Sequence, residues 1–202
     1  MKSTEKSFGI GKWFFIFMFL LIGCTPFSTA LKESSLASFE GQRAYNRVAL
    51  RVWKGNEIWF TNLYHIGEFI PVGTECSITK IAKGSIKFIA LGKQYKLKDW
   101  LVDNDVKNID LSFAKYFVKD RREIGLENVD QDLLDSIMRG VDKIGMTKEE
   151  VLMCLGYPSH LGIKDHTMQY TREYILQKNE WYYMQSRLGR VTLIFEEGKL
   201  VR

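Results

Sequence analysis

The sequence predicts an α+β protein in two parts: a small β-barrel or sandwich, then two helices followed by a three-stranded antiparallel sheet. Three observations carry this expectation. Short alternating apolar segments crowd residues 48 to 97, with turns between them. The stretch from Thr147 to Pro158 holds the start and stop signals of one short helix. Residues Trp181 to Val201 read as two aromatic and β-branched runs joined by a turn, closed by a further short strand.

The chain opens differently. Lys2, Lys6 and Lys12 precede or begin an unbroken apolar run from Trp13 to Ile22. That run is too short to cross a bilayer as a helix and has the length of a signal-peptide core. It ends in Leu21-Ile22-Gly23-Cys24, which resembles a lipobox. In this reading residues 1–23 are a lipoprotein signal peptide, cleaved before Cys24. The Cys24 sulfur then takes a diacylglycerol and its new amino group an acyl chain, and no other cofactor is expected. An ordinary signal peptide, or an uncleaved anchor with an incidental cysteine, is the alternative; small Gly23 directly before Cys24 favours the lipobox. Several acyl chains hold a protein on a membrane where one does not. Thr25 rather than Asp follows the cysteine, as in Gram-negative lipoproteins sorted outward. The expected location is therefore the periplasmic face of the outer membrane.

The full chain has 29 basic and 24 acidic residues, a net charge of +5. Loss of Lys2, Lys6, Lys12 and Glu5 with the leader leaves 26 and 23, or +3. A mildly basic exported chain is not expected to bind nucleic acid. With Cys24 acylated, Cys76 and Cys154 remain. An oxidising compartment permits a bridge between them, and the alternative is two small buried hydrophobes.

Residues 24–43 are small and polar with little periodicity, and read as a tether. Residues 44–125 are then expected to form the β part with a following helix. Val48, Leu50 and Val52 alternate, as do Ile58 and Phe60; residues 77–81, 85–89 and 94–97 follow, with turns at Lys83-Gly84 and Gly92-Lys93. Strands this short and close read as a barrel or sandwich that is SH3-like in size. Helices are predicted over Leu111 to Asp120 and, capped by Asp130, to Arg139. Arg121 to Asn128 is the expected junction, so residues 126–202 form the second part.

Within that part, Thr147 and Glu150 have capping-box spacing, and Met146 and Val151 flank them as a hydrophobic staple. Gly156 can close the helix in a left-handed conformation, and Pro158 stops it resuming. Val151, Leu152 and Leu155 share a face. Two turns of helix are unstable alone, so this one must dock on the terminal sheet.

The pattern GMTKEEVLMCLGYP, then WYY, then VTLIFEEGKLV resembles the SmpA/OmlA (BamE-like) family of small outer-membrane lipoproteins. The resemblance covers roughly the last third of the chain. It implies a lipid-anchored, non-enzymatic protein that binds protein partners, among them an outer-membrane assembly complex. The chain has Asn179-Glu180 where that family has Asp-Thr, and its loop from Ser159 to Lys178 is long. One face of the terminal hairpin must be core, and the other can present aromatic side chains. Trp181, Tyr182 and Tyr183 are the candidate partner-binding residues, with Tyr170 and Tyr174 nearby in sequence. A different class of reading makes the SH3-like part a ligand-binding module contacting peptidoglycan or peptide.

No phosphate loop, nucleophile elbow or zincin motif occurs in the sequence. His160 and His166 share a loop with Asp165, but their spacing matches no established ligand set. They and His65 are expected as exposed loop histidines, with no metal and no catalytic residue.

Overall fold

The computed structural model describes residues 27–34, 36, 39–52, 54–59, 64–99, 106–161, 166–186 and 189–202. The signal segment, Cys24, Phe60 and Asp165 lie outside them. The chain folds as a mixed α+β protein. Helix α1 (Phe27–Glu33) lies against α2 (Val106–Tyr116). After it, Leu36 and Phe39 are buried, and Phe39 meets Phe113 of α2 edge-on at 4.7 Å between centroids. The segment expected to be a tether is thus docked by these two apolar residues.

Eight strands follow: β1 (Arg43–Asn46), β2 (Leu50–Val52), β3 (Glu57–Ile58), β4 (Glu68–Ile70), β5 (Glu75–Ala82), β6 (Ser85–Ala90), β7 (Lys93–Lys98) and β8 (Phe117–Val118). Six of them form one sheet in the order β3-β7-β6-β5-β1-β8, and among the described residues β2 pairs with β4 alone. Of the two expected alternatives, barrel or sandwich, no closed barrel is formed among the described residues. Strands β3 and β8 are the two ends of the large sheet, and β2 and β4 form a separate ribbon. Alternation sets its two faces. Ile78, Phe88 and Tyr95 form one inward row and Ile81, Ile86 and Leu97 another, all buried.

Helix α2 begins and ends earlier than the pattern predicts. Phe117 and Val118, which continue the apolar run, instead pair with Asn46 and Tyr45 of β1. Tertiary pairing overrides local periodicity here. The expected junction, Arg121 to Asn128, is two short 3₁₀ turns, and it buries Ile124 and Leu126 in the core.

Helix α3 (Gln131–Arg139) starts where Asp130 accepts from the Asp132 N–H. Helix α4 (Lys148–Leu155) has the expected capping box: Thr147 accepts from Glu150 N, and Glu150 accepts from Thr147 N at 2.7 Å. Gly156 does take a positive φ of 78°, but with ψ of −168° it extends the chain instead of closing a left-handed cap. Residues Val151 to Leu155 are all buried, so the later part of α4 is covered on every side, while Lys148 to Glu150 stay partly exposed.

The loop from Ser159 to Lys178 contains a further helix, α5 (Arg172–Leu176), begun by Thr171 accepting from Tyr174 N. Strands β9 (Glu180–Met184), β10 (Arg190–Glu196) and β11 (Lys199–Leu200) complete the chain as an antiparallel sheet ordered β11-β10-β9. The Glu197-Gly198 turn has φ of 49° and 80°, the doubly positive geometry that a twisted two-residue hairpin requires. No strand of the first group pairs with these three among the described residues. The two groups are nonetheless packed by one continuous apolar core, from Leu36 to Leu200.

Candidate functional site

Register in the terminal sheet divides the aromatic trio. Trp181 lies opposite Leu193, and Tyr183 opposite Val191, so these share a face with Phe195. Trp181 and Tyr183 are fully buried. The Trp181 indole N–H donates to the Ile175 carbonyl at 3.2 Å, and its ring lies 4.6 Å from that of Phe195. The Tyr183 hydroxyl donates to the Gly156 carbonyl at 2.8 Å, tying β9 to the end of α4. Burial pushes that hydroxyl well above the ordinary tyrosine range. Trp181 and Tyr183 therefore cannot offer a docking surface, which corrects the expectation for two of the three. Both are core.

Tyr182 points the other way. It lies opposite Thr192, and Glu180 and Met184, two residues either side, share its face and lie opposite Ile194 and Arg190. Its hydroxyl donates to Glu180 at 2.8 Å, and that carboxylate raises the hydroxyl's pKa. The row continues sideways: His160 forms an antiparallel bridge with Tyr182, and His166 one with His160. Directly opposed residues share a face. His166, His160, Tyr182 and Thr192 thus cross the sheet side by side, with Ile194, Met184 and exposed Val201 beside them.

Both edges of this sheet are occupied. On the β9 side, Tyr182 N donates to His160 O at 3.0 Å, Ser159 N donates to Tyr182 O at 2.8 Å, and Tyr64 N donates to Met184 O at 2.8 Å. On the β11 side, Gly145 N donates to Leu200 O and Leu200 N donates to Met146 O, at 2.8 and 2.7 Å. A partner cannot readily add a strand where the backbone groups are already paired. What the sheet offers is its outer face.

His65 is exposed in a turn, as the sequence predicts, but His160 and His166 are not exposed loop residues. His160 is only 7 % exposed, and its ring centroid lies 4.3 Å from that of His166. Burial first, then His166 and Arg190, lower its pKa, so the imidazole stays neutral at neutral pH. Among the described residues no group of three or more His, Cys, Asp or Glu is placed to hold a metal ion. Cys76 and Cys154 are both buried and unbridged. Burial pushes each thiol up to about 12, so neither supplies a thiolate at neutral pH.

Two polar junctions, which sequence reasoning missed, hold the strand groups together. In the first, Lys115 of α2 pairs with Asp99 at 3.3 Å, both side chains wholly buried. Lys115 Nζ also donates to the Thr167 carbonyl at 2.8 Å, and the Tyr157 hydroxyl donates to the Lys115 carbonyl at 2.7 Å. Arg172 donates to the Tyr157 hydroxyl at 3.1 Å and pairs with Glu149. In the second, the Tyr64 hydroxyl donates to Asp142 at 3.0 Å, and His65 lies 3.3 Å from the same carboxylate. Arg51 donates to the Gly140 carbonyl at 3.3 Å and lies over the Phe69 ring. Gly140 suits this place: its φ is 70°, and a Cβ would lie 2.8 Å from the Phe69 ring as well as against the Arg51 guanidinium. No family model matches the chain, and no curated protein or solved structure matches it either.

Proposed function

We propose that this chain is a lipid-anchored, non-enzymatic envelope protein that binds a protein partner through the outer face of its terminal sheet. The observation that carries the reading is the pairing of a half-exposed face with closed edges. Tyr182, Met184, Thr192, Ile194 and Val201 form a mixed aromatic and aliphatic surface, rimmed by Glu180, Arg190, Glu196 and Lys199. An apolar centre within a charged rim is the composition of a protein-binding patch. The succession α3, α4, α5, β9, β10, β11 with sheet order β11-β10-β9, in which α5 is an addition carried by the long loop, supports assigning residues 126–202 as a BamE-like domain. Residues 44–125 are then the first part, an open sheet that shares its core with the second.

On this reading Cys24 carries the anchor on the periplasmic face of the outer membrane, and the partner belongs to an outer-membrane assembly complex. Purification of that complex from cells tests the proposal. The wild-type chain is expected to co-purify, and Ile194→Asp, which places a charge at the centre of the face, to be lost from the complex while remaining folded. Co-purification of the variant at wild-type level would remove this face from consideration.

A further inference from the structure

The outer face of the large sheet breaks a rule of strand pairing. Lys80 lies opposite Lys87, and Lys87 opposite Lys96, so three lysines stand in one row across β5, β6 and β7. Like charges directly opposite each other destabilise a sheet. The row ends at Glu57 of β3, which lies 3.7 Å from Lys96 and 3.0 Å from Lys98. Neither Lys80 nor Lys87 has an ion pair among the described residues. A shallow groove of about 300 Å³ runs beside the row, lined by Asn56, Glu57, Lys87, Gln94 and Lys96.

The same face carries exposed apolar side chains. Ile89 stands two residues from Lys87 on β6 and is 42 % exposed; Leu91, at the β6–β7 hairpin tip, is 57 % exposed. Trp59, two residues beyond Glu57, is 42 % exposed, with the Lys98 ammonium 3.7 Å from its ring centroid. Lysines beside tryptophan and aliphatic side chains suit a membrane interface, where cations meet phosphates and apolar groups enter the acyl boundary. A polyanionic glycan would use the lysines but would gain nothing from Ile89 and Leu91.

We propose that this face lies against an anionic phospholipid surface, with Lys80, Lys87 and Lys96 at the phosphates and Trp59, Ile89 and Leu91 in the headgroup boundary. The inference does not rest on the partner-binding reading, because the two faces belong to different sheets. The chain from Thr25 to Arg202 contains every described residue and lacks the apolar leader, so it is the form to test. It is sedimented with phosphatidylcholine vesicles, with and without about a third phosphatidylserine. Binding is expected only to the anionic vesicles and is expected to weaken with salt.

Lys80→Gln with Lys87→Gln should lower the partition coefficient on the order of 30-fold, at about fivefold per lysine. Lys80→Gln with Lys96→Gln serves as a second pair, with a loss of the same order expected, and thermal unfolding confirms that each variant is folded. Ile89→Ser with Leu91→Ser should lower binding severalfold at unchanged charge. Equal binding to both vesicle types, no binding at all, or lysine variants that match wild type would each overturn the proposal. So would sedimentation with purified peptidoglycan alongside an Ile89→Ser, Leu91→Ser variant that binds vesicles normally, since that result assigns the lysine row to a glycan.

Discussion

Lys115→Met removes the ammonium from the buried junction and keeps most of the aliphatic stem. Lys115 and Asp99 are both fully enclosed, so the variant leaves the Asp99 carboxylate in the core without its cation. It also removes one of the two donors to the Thr167 carbonyl, leaving the Tyr170 N–H. Burial lowers the Lys115 pKa and Asp99 raises it, so the charged form depends on this partner. Breaking one side of a buried pair costs roughly 3–5 kcal/mol, whereas replacing both members is close to neutral. Urea unfolding followed by tryptophan fluorescence should show a loss of that size for Lys115→Met, with most of it recovered in the Asp99→Asn, Lys115→Met double variant. The two chain segments joined here are α2 and the loop before α5, so the loss should appear in one cooperative transition. A loss below about 1 kcal/mol, the range of an exposed pair, would refute the claim that the buried Lys115 ammonium, charged beside Asp99 and donating to the Thr167 carbonyl, helps to hold the halves together. Two separate transitions would refute the shared core.

Thr147→Ala should cost on the order of 1 kcal/mol through the lost cap, and Leu155→Ala, 1 % exposed, roughly 2–5 kcal/mol; chemical denaturation separates the two. His160 has a folded pKa below its ordinary value of 6.5. The unfolded chain therefore takes up the proton first as pH falls below about 6.5, and stability should decline there, rising again with pH. His160→Gln should flatten that slope in unfolding curves measured across the window. Cys24→Ala should abolish acyl labelling and leave the precursor uncleaved, as followed with labelled fatty acid and gel mobility.

Local signals carried the sequence reading where they were sufficient. Thr147, Glu150 and Pro158 define α4 within twelve residues, and the structure places the helix and its capping box as expected. Thr171 gives α5 a similar start, but five residues are too few for any periodicity to mark. Alternation established that Trp181 and Tyr183 share a face, but not which face is inward. That is decided by pairing with Leu193 and Val191 and by the position of α4, which are non-local. Leu36 and Phe39 looked like isolated apolar residues in a polar tether because their partner, α2, comes about 70 residues later in sequence. Lys115 sits in an ordinary helical run, and nothing near it announces Asp99. The lysine row was hidden for the same reason: only register brings Lys80, Lys87 and Lys96 side by side.

Photocrosslinking in cells tests the docking face most directly. A benzophenone side chain replaces Tyr182 or Thr192 on the outer face, and separately Tyr183 in the core. The outer-face positions are expected to give one discrete adduct with a component of the outer-membrane assembly complex, lost when Ile194→Asp is added, while the core position gives none. Adducts that form only from the sheet of residues 43–118, or none from Tyr182 and Thr192 in a folded protein, would contradict the account.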